Sequence, residues 1–230
     1  MEPEDQESRA PAAVRAVFGE HAESAAEFVA MLASHGVERG LIGPREVDRL
    51  WDRHVLNSAV LAELVPEEAR VVDVGSGAGF PGIPLAIARP DLDIVLLEPM
   101  ARRVEWLTEV VDTLGLSVSV ERGRAEEKVV RRRIDVADVV TARAVAPLAR
   151  LAQWCLPLVK PSGELLALKG QTAADEIERD RSAVRKAGGG DPRIVRCGAA
   201  VLETPTTVIA IERVESGAPG VARKRGRKKH

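Results

Sequence analysis

The residues best suited to chemistry cluster at Val71-Val72-Asp73-Val74-Gly75-Ser76-Gly77-Ala78-Gly79-Phe80-Pro81-Gly82, where an apolar run breaks into glycines at alternate positions. Glycine admits positive φ and carries no Cβ, so a ligand can lie against bare main chain. Pro81 suits the first turn of a helix that follows. Nineteen residues beyond Gly79, the run Ile94-Val95-Leu96-Leu97 ends in Glu98. At the end of a neighbouring strand, such a carboxylate can accept hydrogen bonds from both hydroxyls of a ribose. The pair of features points to a nucleoside-bearing ligand, with a purely structural turn as the alternative. A dinucleotide fingerprint requires G-x-G-x-x-G, and its third glycine would fall where Phe80 stands. A position just after three glycines should expose Phe80 toward the ligand.

A strand must therefore end near Val74 and a helix begin near Gly82. Short apolar strands are expected at 71–74, 94–97, 117–120, 136–141, 164–168, 194–201 and 207–211, with helices at 82–88, 101–114, 145–159 and 173–186. This alternation predicts an α/β, doubly wound, mostly parallel seven-stranded sheet with helices on both faces. The last two strands, joined across Glu203-Thr204-Pro205-Thr206 without a helix, read as a terminal hairpin. Upstream, Val14, Val17, Phe18, Ala25, Phe28, Val29 and Leu32 recur at helical spacing, with Gly19 as a break. A second helical pattern covers 45–64 and stops before Pro66. The expected organisation is an N-terminal helical appendage over 1–65, the main domain over 66–214 and a disordered basic tail over 215–230.

The observed G-x-G-x-G, with Asp73 two residues ahead, resembles motif I of the S-adenosylmethionine-dependent methyltransferases. That resemblance implies their class I, Rossmann-like fold, and makes Asp73, Gly75, Gly77 and Gly79 cofactor-binding candidates beside Glu98. Methyl transfer from a sulfonium is an in-line displacement, so the acceptor must be positioned and, where necessary, deprotonated. Carbon-5 of a pyrimidine usually needs a Cys nucleophile. Cys155, within Leu151-Ala152-Gln153-Trp154-Cys155-Leu156, reads as core, and Cys197 lies late in the sheet. Exocyclic amines are typically served by Asn or Asp followed by two prolines and an aromatic. Here that place reads Val140-Thr141-Ala142-Arg143-Ala144-Val145. Guanine N7 has its lone pair available and needs only cationic donors near O6 and N7, which favours Arg143 and Lys169.

Over roughly 45–212 the chain resembles the small-subunit ribosomal RNA guanine-N7 methyltransferase G family, also called glucose-inhibited division protein B. The resemblance is carried by Arg53-His54-Val55-Leu56-Asn57-Ser58, by the glycine loop extended through Ile83-Pro84-Leu85, and by Arg89-Pro90. Arg102-Arg103-Val104 with Leu107, Arg124-Ala125-Glu126-Glu127, Thr141-Ala142-Arg143-Ala144 and Ala167-Leu168-Lys169-Gly170 add to it. It implies that Gly75 and Phe80 line the donor site, that Ala125 and Glu126 border the adenine, and that Arg143 closes the pocket. Glu98 takes the ribose place, where many relatives carry Asp. Arg124, Arg143 and Lys169 are implied to face the RNA or its target base. The chain departs from the family pattern over 36–43, where a W-N-x-x-x-N-L-T stretch is common.

Composition sets the remaining bounds. The 33 Lys and Arg nearly cancel the 35 Asp and Glu. The cancellation is uneven, because Glu2, Glu4, Asp5 and Glu7 open the chain and six Arg and Lys crowd 223–229; without those six the charge is −8. The tail could contact ribosomal RNA through its phosphates, or serve only as a solubilising segment. Arg131-Arg132-Arg133 likewise reads as a phosphate contact or a solvated face. With no Tyr and 3% aromatics, stacked-ring recognition is disfavoured. Trp51, Trp106 and Trp154 read as core, and His54 as a structural hydrogen-bonding group. Two Cys and four His offer no metal site. No run is long enough to span a bilayer, and the acidic start lacks an apolar signal segment. The expectation is a cytoplasmic, monomeric enzyme using S-adenosylmethionine on 16S ribosomal RNA or the 30S particle. The alternatives are methyl transfer to another RNA, a small molecule or a protein, and a non-enzymatic RNA-binding module with a degenerate pocket.

Overall fold

The computed structural model describes residues 12–214. One sheet contains β1 Arg70–Val74, β2 Asp93–Glu98, β3 Val118–Arg122, β4 Ala137–Arg143, β5 Val159–Lys169, β6 Arg193–Cys197 and β7 Thr206–Glu212. Their order is β3-β2-β1-β4-β5-β7-β6, with β1 to β5 parallel and β7 antiparallel to both neighbours. The terminal hairpin thus inserts its second strand into the sheet and leaves its first at the edge. The doubly wound, mostly parallel seven-stranded sheet expected from the strand-helix alternation is present.

Strands covered on both faces need continuous apolar runs, and β1 and β2 carry them. Successive side chains then divide between two cores. Val71, Ile94, Leu96, Val139 and Leu166 face one, and Val72, Val95, Leu97, Val140 and Leu165 the other. The α-helices of the described residues are α1 Ala12–Phe18, α2 Ala22–His35, α3 Leu56–Ala59, α4 Gly82–Ala88, α5 Ala101–Leu114, α6 Lys128–Arg133, α7 Leu148–Cys155 and α8 Ala173–Lys186. Helix α6 was not expected from sequence, because six residues with only Val130 buried carry no readable period. Helix α7 stops earlier than the expected 159, giving way before Pro157 to a short 3-10 turn.

Val14, Phe18, Phe28, Leu32, Val55 and Leu61 share one core with Ile83, Leu96 and Trp106. The described part of the N-terminal helical segment therefore packs as a cover on one face of the sheet. Its second half is not one regular helix. A 3-10 stretch at Pro44–Arg49 leads into a π-turn at Leu50–Val55, then α3 and a further 3-10 stretch at Val60–Leu64. The acidic start and the basic tail fall outside the described residues. Among the described residues, no helix is long and apolar enough to cross a membrane.

Candidate active site

Strands β2 and β4 flank β1, so the chain leaves the sheet in opposite directions there and opens a crevice beyond the strand ends. A cavity of about 610 Å³ occupies it, within the usual range for small-molecule sites. It is lined by Gly75, Ser76 and Gly77 after β1, Glu98 ending β2, Arg124, Ala125 and Glu126 after β3, and Arg143 ending β4.

The glycine loop has two halves with different duties. Gly75 and Gly77 sit at φ +73° and +58°, in the left-handed region that disfavours other residues, and both line the cavity. Glu98 is 1% exposed, and its orientation is fixed by main chain. Its Oε2 accepts from the Gly77 amide at 2.9 Å and its Oε1 from the Met100 amide at 2.9 Å. From α5, the fully buried Trp106 donates Nε1–H to the Ala78 carbonyl at 3.0 Å, anchoring the middle of the loop.

The second half faces the core. Asp73 is not a cavity wall, in contrast to its expected place at the cofactor. It is fully buried, its Oδ2 accepting from the Gly82 amide at 3.1 Å and its Oδ1 from the Thr141 hydroxyl at 3.0 Å. It ties β1 to β4 and to the start of α4, and burial pushes its carboxyl up to about 6. Gly79 also turns away: a Cβ there would lie 2.8 Å from Ile83 and 3.2 Å from Phe28. Its missing side chain makes room for packing rather than for a ligand. Phe80 borders the cavity but is packed, not exposed. Its ring stacks on His54 at 5.3 Å and meets Phe28 edge-on at 5.7 Å, with the Arg143 guanidinium 5.0 Å above it.

Arg143 is held by the N-terminal segment. It donates to the Ser58 hydroxyl at 3.1 Å, to the His54 carbonyl at 3.3 Å and to His54 Nδ1. Since Nδ1 accepts, Nε2 carries the proton, and it faces the Glu46 carboxylate at 2.6 Å. Burial first, then the Arg143 charge, holds His54 below its ordinary value. Burial lowers Arg143 to about 10, so it remains a cation at neutral pH.

This architecture is shared with known methyltransferases. A crystal structure of an S-adenosylmethionine-dependent methyltransferase from Methanococcus maripaludis, described as putative, matches with a TM-score of 0.58 at 15% identity, covering 76% of this chain and 93% of that one. At that identity the likeness concerns the fold. The model of the rRNA small subunit methyltransferase G family matches residues 21–204. The chain belongs to that family. Ribosomal RNA small subunit methyltransferase G of Rhodococcus jostii is 59% identical over 203 residues, 88% of this chain and 89% of the relative. That of Mycobacterium marinum is 55% identical over 207 residues, 90% and 91%.

Within this family member, the remaining expected site residues separate. Arg124 lies at the cavity mouth, its side chain 61% exposed and 3.9 Å from Glu126. Ala125 is buried, and its carbonyl accepts from Arg131 Nε at 2.6 Å, while Arg133 donates to the Arg122 carbonyl at 2.8 Å. Two of the three consecutive arginines thus brace the loops after β3. Lys169 does not line this cavity; it sits in an adjacent cleft. Both thiols are buried and pushed up by burial, which removes them as nucleophiles.

Sequence reasoning missed several cavity walls. Leu41, Ile42 and Gly43, within the stretch that departs from the family pattern, line it, as do Glu46 and Arg103. Trp154, expected in the core, is half-buried and also lines it. A signal for Trp154 was available, since Leu148, Leu151, Ala152 and Cys155 form the buried stripe of α7 and Trp154 falls off it.

Proposed function

We propose that this chain transfers the methyl group of S-adenosylmethionine to N7 of a guanine in 16S ribosomal RNA, acting in the cytoplasm on the free RNA or the 30S particle. The observation that carries the reading is the cavity itself, where two positive-φ glycines and a main-chain-clamped Glu98 meet at the switch point of the sheet in a member of this family. These residues fit a nucleoside-bearing methyl donor. Gly75 and Gly77 would let it approach the main chain, and Glu98 would offer its remaining lone pairs to ribose hydroxyls. Ala125 and Glu126 would border the base, and Phe80 and Arg143 would complete the wall. Bound there, S-adenosylmethionine supplies an electrophilic sulfonium methyl.

The chain's own task is then to position the acceptor and exclude water. Guanine N7 needs no general base, which agrees with the inert thiols and with His54 being committed to Arg143 and Glu46. Arg124, Arg143 and Lys169 are the acceptor-side cations of this reading, with Arg124 the most exposed toward a phosphate backbone. The test is incubation with labelled methyl donor and either 30S particles or bare 16S RNA, followed by mapping. Label on a guanine N7 is expected, and label confined to protein or a small metabolite would sink the reading.

A further inference from the structure

A second cleft, about 540 Å³, opens beside the donor cavity and shares Ala144 and Val145 with it. Ala144 stands at φ +54°, a conformation non-glycine residues rarely adopt and one that gathers at functional sites. Lys169, at the end of β5, and Glu176, in the first turn of α8, form part of the cleft's polar wall, which Thr172, Asp175 and Arg179 complete. Both are mostly buried, their side chains 12% and 14% exposed and paired at 2.8 Å.

The partners of this pair are unequal. Lys169 Nζ donates to the Ala146 carbonyl at 3.0 Å and to Glu176 Oε2, which leaves its third hydrogen unassigned. Glu176 Oε2 also accepts from the Leu148 amide at 3.2 Å. Oε1 has only the Thr172 hydroxyl, at 3.4 Å. One ammonium hydrogen and one carboxylate oxygen thus stand side by side in the wall of a cleft that adjoins the donor.

We propose that Glu176 selects guanine, its Oε1 accepting from the N1–H and N2 amino group of the target base while Lys169 donates to O6. This rests on the reading of the donor cavity given above. Guanine presents O6, N1–H and the N2 amino group along one edge, and enzymes that work on an extruded base read that edge. Adenine would set its amino group against the ammonium and its N1 lone pair against the carboxylate. Holding guanine by this edge leaves N7 uncovered, as transfer to N7 requires.

Once the methylated guanine is mapped, RNA carrying inosine at that single position, which lacks the N2 amino group, provides the test. Wild type should methylate inosine about tenfold to hundredfold more slowly than guanosine, the effect of losing a hydrogen bond to a charged group. In Glu176→Gln, the place of Oε2 must still accept from Lys169 and Leu148, so the amide oxygen occupies it and the NH₂ faces the base. Transfer to guanosine should fall by a similar factor, and the preference over inosine should vanish. Unchanged donor affinity by calorimetry would report an intact fold. Glu176→Asp, which keeps the charge at shorter reach, should recover part of the preference even if the Gln variant misfolds. A wild type indifferent to inosine, or a slowed Glu176→Gln that keeps the wild-type preference, would overturn the proposal while leaving N7 transfer standing. No label in RNA with the wild-type enzyme would overturn both.

Discussion

The donor cavity and the cleft beside it hold their polar groups by different means. In the cavity, Glu98 is clamped by two main-chain amides, and the loop is shaped by glycines at positive φ and by Asp73 gripping the Gly82 amide. In the cleft, Lys169 and Glu176 hold each other side chain to side chain, each with a single main-chain anchor besides, the Ala146 carbonyl for Lys169 and the Leu148 amide for Glu176. A main-chain device can be damaged only by altering the backbone or its anchor, and it fails outright. A side-chain pair can be altered one atom at a time, and its failure is graded.

The largest effect should come from Gly75→Val. A Cβ there meets Val145 at 2.9 Å and the φ of +73° opposes a β-branched residue, so donor affinity should drop by roughly 100-fold or more, read by calorimetry. Wild-type affinity in that variant would break the comparison. Glu98→Ala comes next, with donor affinity lowered about tenfold to hundredfold, because a charged acceptor is lost and two amides lose their partner. Lys169→Ala should lower transfer by about tenfold while donor affinity holds, since Lys169 lies outside the donor cavity. Equal loss of both quantities would erase the distinction between the two sites.

The smallest effect concerns pH. His54 is held below the ordinary imidazole value, mainly by burial and then by Arg143. A depressed value favours the neutral ring, so its contribution is complete above pH 6.5 and is lost as pH falls through the lowered value. Protonation turns Nδ1 into a donor facing Arg143, and that guanidinium must then release. A fall in transfer of a few-fold on the acid side is expected in a pH profile. In His54→Gln, which cannot titrate, that acid limb should flatten.

Much of the lining of the candidate donor cavity was legible from residue order because its devices are local. Alternate glycines after an apolar run, and a carboxylate ending the next such run, need no knowledge of distant contacts. Asp73 and Gly79 belong to the same motif yet serve packing, because adjacent strand residues point to opposite faces and the loop turns halfway along. Trp154 and Glu46 reach the cavity only through the packing of α7 on the sheet and through the irregular turns around the π segment. Nothing near them in sequence carried that information, apart from Trp154 falling off the apolar stripe.

By itself the sequence determined the two-sided sheet, the place of the glycine loop between its first strand and the helix that follows, and the poverty of nucleophiles and aromatics that steers the chemistry toward a ready lone pair. Each follows from local pattern or composition, since strand period, glycine spacing and residue counts are properties of a chain before it folds. Tertiary structure alone decided that the N-terminal segment walls the cavity, that Arg143 is fixed by His54 and Ser58, and that Lys169 and Glu176 face a separate cleft. Those outcomes depend on which distant side chains share a buried space, where an unpaired charge or an empty volume costs more than any local preference can offset.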